Sequence, residues 1–250
     1  MKCFSIPIED RYADEIISEI SKSQNNLPYW IVTLNPEMLL AGKRDTQYAE
    51  TLRKADLRIV DSFGLKLFGF LHGKNLKRLT GVDLAEALIH WAHQTHQSIA
   101  FIGGEKPKTA ARAYATMAQK YPGLKGYAED GGMVDAMGNG DSGNEEALLR
   151  LTMEEPDIIL VAFGHPKQER WIERVRSQFP KAKAIVGIGG TFDYWGSIVK
   201  RAPKWVRTLG LEWLYRLIQE PKRWRRILDA VIVFPFYAIL DRFSRKSHTS

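Results

Sequence analysis

Short, unbroken apolar runs recur along this chain, and each stops at a glycine or a polar residue. Residues 30–34 (WIVTL) stop at Asn35, 57–60 (LRIV) at Asp61 and 98–102 (SIAFI) at Gly103-Gly104. Residues 157–163 (DIILVAF) stop at Gly164, and 184–188 (AIVGI) at Gly189-Gly190. Helix-like stretches separate them. One opens at Asn35-Pro36-Glu37, with proline at the first helical position; others cover 108–121 and 168–179. A strand that is apolar throughout is buried on both faces. Such strands alternating with helices build a mostly parallel sheet with helices on both faces. The expected fold class is α/β. In these sheets ligands bind at the carboxyl ends of the strands, where the polar residues of this chain collect.

Charge divides the chain in two. Residues 200–250 hold twelve Lys and Arg against four Asp and Glu, whereas the rest holds twenty-four against twenty-five. The net +7 is thus the property of the last fifty residues. An α/β domain over 1–195 and a basic C-terminal appendage over 196–250 are expected. The apolar stretch of the appendage, 227–240, is interrupted by Asp229 and Pro235. It falls short of the roughly 20 apolar residues of a spanning helix. A basic, Trp-bearing amphipathic segment suits the surface of an anionic bilayer. A nucleic-acid partner is not expected, because the positive segment is interleaved with apolar residues and no nucleic-acid motif is present. The single cysteine, Cys3, excludes an internal disulfide and a thiolate metal cluster. No signal peptide is read at the N-terminus, which has acidic residues by position 9.

Each motif has a functional and a bland reading. Gly103-Gly104 and Gly189-Gly190 let backbone approach a phosphate, or simply form tight turns. Neither fits G-x-G-x-x-G or the lysine-bearing phosphate loop, so a nicotinamide or ATP enzyme has no support. Thr33, Asn35 and Glu37 could bond sugar hydroxyls or a nucleotide; Asn35 equally suits capping of the helix that Pro36 opens. Asp61 is placed for general-base work, or it or Ser62 caps a helix. The loop from Gly164 to Gln168 and Glu169 could read a base or sugar, while Glu169 could serve only the helix dipole. His90, His93 and His96 do not share one helix face, so no metal site is expected there. No Asp-x-Asp occurs, and the common diphosphate–metal clamp is missing. Arg216, Arg223 and Arg226 offer guanidinium groups to a diphosphate or to lipid phosphates, with Pro221 interrupting their helix.

Taken together, the segments resemble the WecG/TagA/CpsF family of bacterial glycosyltransferases. The carrying motifs are T-x-N-P-E at 33–37, the aspartate-glycine block at 61–64, R-x-T-G at 78–81, F-G-x-P-x-Q-E at 163–169 and G-I-G-G-T-F-D at 187–193. The last is R-A-P-x-W…G-L-E-W-L-Y-R-L…E-P-x-R over 201–223. The resemblance implies a Rossmann-like domain whose appendage contacts the membrane and completes the active site. It implies inverting, metal-independent transfer from a UDP-sugar to a polyprenyl-diphosphate-linked saccharide, without a cofactor. The work would be done peripherally, on the cytoplasmic face of the bacterial inner membrane. The donor sugar would be N-acetylmannosamine, a uronic acid or a hexose. By the same resemblance Asp61 is the base, Thr33 and Asn35 lie beside the sugar, and Arg78 and Gln168 line the nucleotide pocket. Arg216, Arg223 and Arg226 are its appendage arginines. One departure is Ser62, where the family usually has glycine. A non-catalytic UDP-sugar-binding or membrane-scaffold protein is the competing class, and a homo-oligomer is left open.

Overall fold

In a computed structural model, residues 1–23, 26–104 and 106–246 are described, with side chains except at 223 and 242–246. A small hairpin, β1 (Lys2–Cys3) and β2 (Ile6–Pro7), precedes helix α1 (Ala13–Lys22). The main sheet then begins with β3 (Tyr29–Leu34), followed by α2 (Pro36–Arg44), α3 (Thr46–Lys54) and β4 (Leu57–Val60). Next come α4 (Phe63–Leu71), α5 (Gly81–Gln94), β5 (Ser98–Gly103), α6 (Thr109–Lys120) and β6 (Lys125–Glu129). The sheet closes with α7 (Ser142–Glu154), β7 (Ile158–Ala162), α8 (Lys167–Val175), β8 (Ala184–Gly187) and α9 (Thr191–Trp195). Six parallel strands lie in the order β4-β3-β8-β7-β5-β6.

The unbroken apolar runs have the physical cause read from them. Every residue of β3, β4, β7 and β8 is buried. Alternate residues feed two cores, one on each side. Trp30, Val32 and Leu34 join Val161, Ile185, Met38 and Trp171 on one face, while Tyr29 and Ile31 join Leu160, Val186, Leu88 and Phe192 on the other. Burying one large aliphatic or aromatic side chain is worth about 1.5–3 kcal/mol, so these two layers supply most of the driving force. Strand β6 (KGYAE) is only partly covered, as an edge strand can be.

Beyond α9 the chain leaves the sheet. Helices α10 (Lys204–Thr208) and α11 (Glu212–Gln219) lead to a tight turn at Pro221–Arg223, then α12 (Trp224–Leu228) and α13 (Phe234–Lys246). Pro221 does end the helix carrying Arg216, as expected of a residue that cannot donate its backbone N–H. Asp229–Val233, a wider-wound turn, joins α12 to α13. It ends two residues before Pro235, whose missing N–H would disrupt a regular α-turn there.

The appendage folds back onto the sheet domain. Phe234 and Ala238 are each 1% exposed, and the Phe234 ring lies 5.9 Å from Phe68 and 6.1 Å from Phe4. The stretch read as amphipathic is two-sided. One stripe belongs to the core, and Leu228, Ile232, Phe236, Ile239 and Leu240 remain exposed. The Asp229 carboxylate accepts two hydrogen bonds from Arg44, at 3.1 and 3.2 Å. No described helix is long and apolar enough to cross a membrane.

Candidate active site

Strand register lines up the ends that carry the motifs. Leu34 pairs with Val60, and Val32 and Val161 both pair with Gly187. Counting forward along the parallel strands sets Asp61, Asn35, Gly190 and Gly164 in one row across the carboxyl edge. Helices α2, α4 and α8 leave this edge for one face of the sheet and α9 for the other. A crevice opens where neighbouring connections diverge in this way.

Asp61 follows the last residue of β4. Its Oδ1 accepts the Gly81 N–H at 2.7 Å, and its backbone carbonyl accepts Arg78 Nε at 2.9 Å. Among the described residues Oδ2 has no hydrogen-bond partner. Burial at this edge pushes the carboxyl from 3.8 up to about 6, against the pull of the Gly81 N–H and the Arg78 charge. The helix cap belongs to Ser62 instead, whose Oγ accepts the Leu65 N–H at 3.3 Å. With φ at −112° Ser62 lies in extended backbone, so this position does not require glycine.

Asn35 caps α2, its Oδ1 accepting the Met38 N–H at 3.0 Å. Its Nδ2 has no partner among the described residues, so capping leaves a donor for a ligand. Thr33 is buried, and its hydroxyl donates to the Gly187 carbonyl at 2.9 Å, tying β3 to β8.

Two glycine turns in the row are open. Gly164 and Gly189 have φ of +75° and +52°, and no heavy atom comes within 4 Å of the place a Cβ would occupy. Gly103-Gly104 differs. A Cβ on Gly103 would be 3.0 Å from Ala162 and one on Gly104 2.6 Å from Thr109, so close packing against β7 and α6 accounts for that pair.

Gln168 is buried and locked. Its Oε1 accepts the Gly189 N–H at 3.1 Å and its Nε2 donates to Glu169 at 2.5 Å. Glu169 is 0% exposed and accepts the Tyr48 hydroxyl at 2.9 Å on its other oxygen. Burial drives the Glu169 carboxyl up to about 7, with the Gln168 and Tyr48 bonds opposing. A chain of bonds thus runs from α3 through α8 to the Gly189 turn. Glu169 does more than complement a helix dipole, and nothing in the sequence marked Tyr48 as its partner.

The appendage covers this edge. The Arg216 guanidinium lies 5.3 Å from the Tyr194 ring centre, and its Nε donates to Glu220 at 2.8 Å. A Cβ on Gly190 would be 2.9 Å from Arg216 Nη2. That Nη2 is buried without a hydrogen-bond partner among the described residues. Arg226 donates to Glu37 at 2.7 Å and lies 3.4 Å from His165 Nδ1, joining the β3 and β7 loops. Arg78 donates to Glu212 at 2.8 Å and to the Arg207 carbonyl at 3.4 Å, so it braces α11 and α10 against Asp61. Arg201 donates to Asp83 at 2.7 Å at the start of α5. The side chain of Arg223 lies outside the described residues. Glu212 and Glu220 stand four residues either side of Arg216, a helical ion-pair spacing; Glu220 uses it, and Glu212 pairs with Arg78 instead.

The histidines read as unsuited to a metal lie elsewhere. His90 and His93 pack beside Tyr121, each 5.8 Å from its ring centre, and His96 falls beyond the end of α5.

Comparison with known proteins agrees with the geometry. The chain is 35% identical over 237 residues to the N-acetylglucosaminyldiphosphoundecaprenol N-acetyl-beta-D-mannosaminyltransferase of Bacillus spizizenii (strain ATCC 23059 / NRRL B-14472 / W23), covering 92% of this chain and 86% of that protein. It is 31% identical over 239 residues to the protein of the same description from Bacillus subtilis (strain 168), covering 93% and 82%. The Staphylococcus aureus (strain MRSA252) protein so described is 31% identical over 219 residues, covering 86% and 81%. Residues 1–248 match the Glycosyl transferase WecG/TagA/CpsF family. A parallel α/β sheet with Asp61, Gln168 and the glycine turns at its carboxyl edge, a match over nearly the whole chain and three relatives above 30% identity have one meaning: this chain belongs to the WecG/TagA/CpsF family of glycosyl transferases.

Proposed function

We propose that the protein transfers a sugar from a UDP-sugar to a polyprenyl-diphosphate-linked saccharide, with inversion and without a metal. It does so as a peripheral protein on the cytoplasmic face of the membrane. The relatives' names supply the choice of substrates: N-acetylmannosamine as the sugar and N-acetylglucosaminyl-diphosphoundecaprenol as the acceptor. The observation that carries the reading is the row at the carboxyl edge. There Asp61, with its unpartnered Oδ2, stands in the same row as Gly190, which follows the open Gly189 turn and adjoins the unpartnered Arg216 Nη2.

In this reading the acceptor hydroxyl gives its proton to Asp61 Oδ2. Its oxygen forms the new bond to the anomeric carbon as the bond from that carbon to the UDP oxygen breaks. The electron pair leaves with UDP, and its charge is met by Arg216. General-base assistance of this kind is worth ~10²–10⁴ in rate. Arg226, beside Glu37 and His165, extends the positive charge toward the acceptor diphosphate. The division at about residue 195 is then functional. The sheet domain binds the donor, and the appendage brings cations and a membrane-binding surface.

The test is a panel of UDP-sugars incubated with a synthetic N-acetylglucosaminyl-diphosphoprenol, with and without EDTA, reading UDP release and product mass. The expected product is larger than the acceptor by one N-acetylhexosamine, formed equally with EDTA. A protein that binds UDP-sugars and releases no UDP from any of them is a scaffold, and the proposal is then wrong.

A further inference from the structure

The appendage is not the only apolar surface this molecule leaves open. Helix α4 begins two residues after Asp61 and belongs to the sheet domain. Leu65, Phe68 and Gly69 face inward, while Phe63, Leu67 and Phe70 are 41%, 42% and 73% exposed. Their spacing, i, i+4 and i+7, puts all three on one stripe of the helix. A nine-residue helix does not ordinarily leave three large apolar side chains in water, because each exposed group forgoes its burial free energy.

The exposed charges of α4 and of the appendage beside it include five cations. Helix α4 holds Lys66 and no acidic residue, and Lys74 follows it, both exposed. Lys204, Lys222 and Arg225 of the appendage are exposed as well. Three acids of that segment are already matched: Glu212 by Arg78, Glu220 by Arg216 and Asp229 by Arg44. The stripe also adjoins the exposed apolar residues of the appendage. A Cβ on Gly210, in the turn between α10 and α11, would be 2.6 Å from the Phe63 ring. On the other side Phe234 of α13 lies 5.9 Å from Phe68. In the elements that bring these two contacts, Trp205, Leu209 and Ile218 of the α10–α11 segment and Ile232 and Phe236 of the α12–α13 segment are 60–73% exposed. An apolar face of several elements, fringed by cations without an ion pair among the described residues, complements a phospholipid surface that is anionic outside and hydrocarbon within.

We infer that α4 is a lipid-contacting helix: Phe63, Leu67 and Phe70 enter the interface of an anionic bilayer together with the appendage, which sets Asp61 at the level of the headgroups. The inference rests on the reading that the appendage binds membranes and goes beyond it by assigning a second, non-appendage contact. Its consequence is orientation. Two contacts on either side of the crevice fix the tilt of the sheet on the membrane, so that a lipid-linked diphosphate meets Asp61 without leaving the surface.

The experiment uses the full chain with vesicles of phosphatidylglycerol and phosphatidylcholine, against phosphatidylcholine alone. Cys3 is buried, so a Phe70→Cys variant carries one accessible thiol for an environment-sensitive dye. Addition of anionic vesicles is expected to shift the emission to the blue, and lipids with quenchers in the acyl chains should quench it. A Leu67→Asn/Phe70→Ser double variant is expected to weaken vesicle binding about tenfold or more. It should keep wild-type turnover on a short-chain, water-soluble acceptor, which shows that it is folded. A vesicle-bound protein whose dye at 70 is neither shifted nor quenched overturns the inference and leaves the appendage reading intact. No vesicle binding at all overturns both. A dye shift that follows protein concentration instead of lipid identifies a second copy as the occupant and overturns the inference as well.

Discussion

Replacing Asp61 by asparagine separates a catalytic role from a structural one, because the two predict opposite effects on stability. The Asp61 carboxyl is raised from 3.8 to about 6 by burial. Each pKa unit corresponds to about 1.4 kcal/mol, so the ionised carboxylate costs the folded protein up to about 3 kcal/mol at neutral pH. A raised carboxyl favours the protonated folded form. Its contribution is therefore fully present below about pH 4 and is lost as pH climbs to about 6. Asparagine carries no charge and keeps an oxygen for the Gly81 N–H, so Asp61→Asn removes that cost. Urea unfolding at pH 8 should show the variant more stable than wild type by ~1–3 kcal/mol, with the gap closing toward pH 4. Turnover should meanwhile fall by ~10²–10⁴, or about 2.7–5.4 kcal/mol in the barrier. A variant that is less stable at pH 8, or that turns over within a few-fold of wild type, refutes the reasoning.

Three further outcomes follow from the same geometry. In wild type, kcat/KM should rise with pH and level off above about 6, since the base must be ionised; a flat profile from pH 5 to 8 would remove Asp61 from that role. Tyr48→Phe removes a bond to the buried Glu169, so unfolding free energy should drop by ~1–3 kcal/mol, and donor affinity should fall as Gln168 loosens its hold on Gly189. Phe234→Ala opens the contact with Phe4 and Phe68 and should cost ~3–5 kcal/mol of appendage docking, read as faster proteolysis after residue 195 while the sheet domain stays resistant.

The legible parts of this protein are those in which one segment explains itself. Strands β3, β4, β5, β7 and β8 were readable because each is buried on both faces, which makes its sequence apolar without alternation. Strand β6 was not, because at the sheet edge Lys125 and Glu129 are tolerated and the run loses its apolar signature. Asp61 and the glycine turns were readable as residues that end strands, and Gln168 as the start of the helix that follows one. Tyr48 was hidden because it comes from the middle of α3, and its role exists only once α8 packs beside it. The brace from Arg78 to Glu212 joins residues 134 apart in sequence, which no local pattern reveals. In residues 227–240 the division between the two faces was hidden for the same reason. An apolar helix does not say which stripe meets protein, and Phe234 and Ala238 turn inward while Ile232 and Phe236 do not.

The claim at the centre of this account is that the appendage completes the active site and does not merely hold the protein to a surface. Arg216→Ala in the full chain tests it most directly, assayed with a water-soluble, short-chain lipid-diphosphate acceptor that needs no membrane. Loss of one preorganised donor to the developing charge should lower turnover ~10²–10³. Vesicle affinity should change less than twofold. Turnover on the soluble acceptor within twofold of wild type, together with weakened vesicle binding, would show that Arg216 serves the membrane alone and would contradict the account.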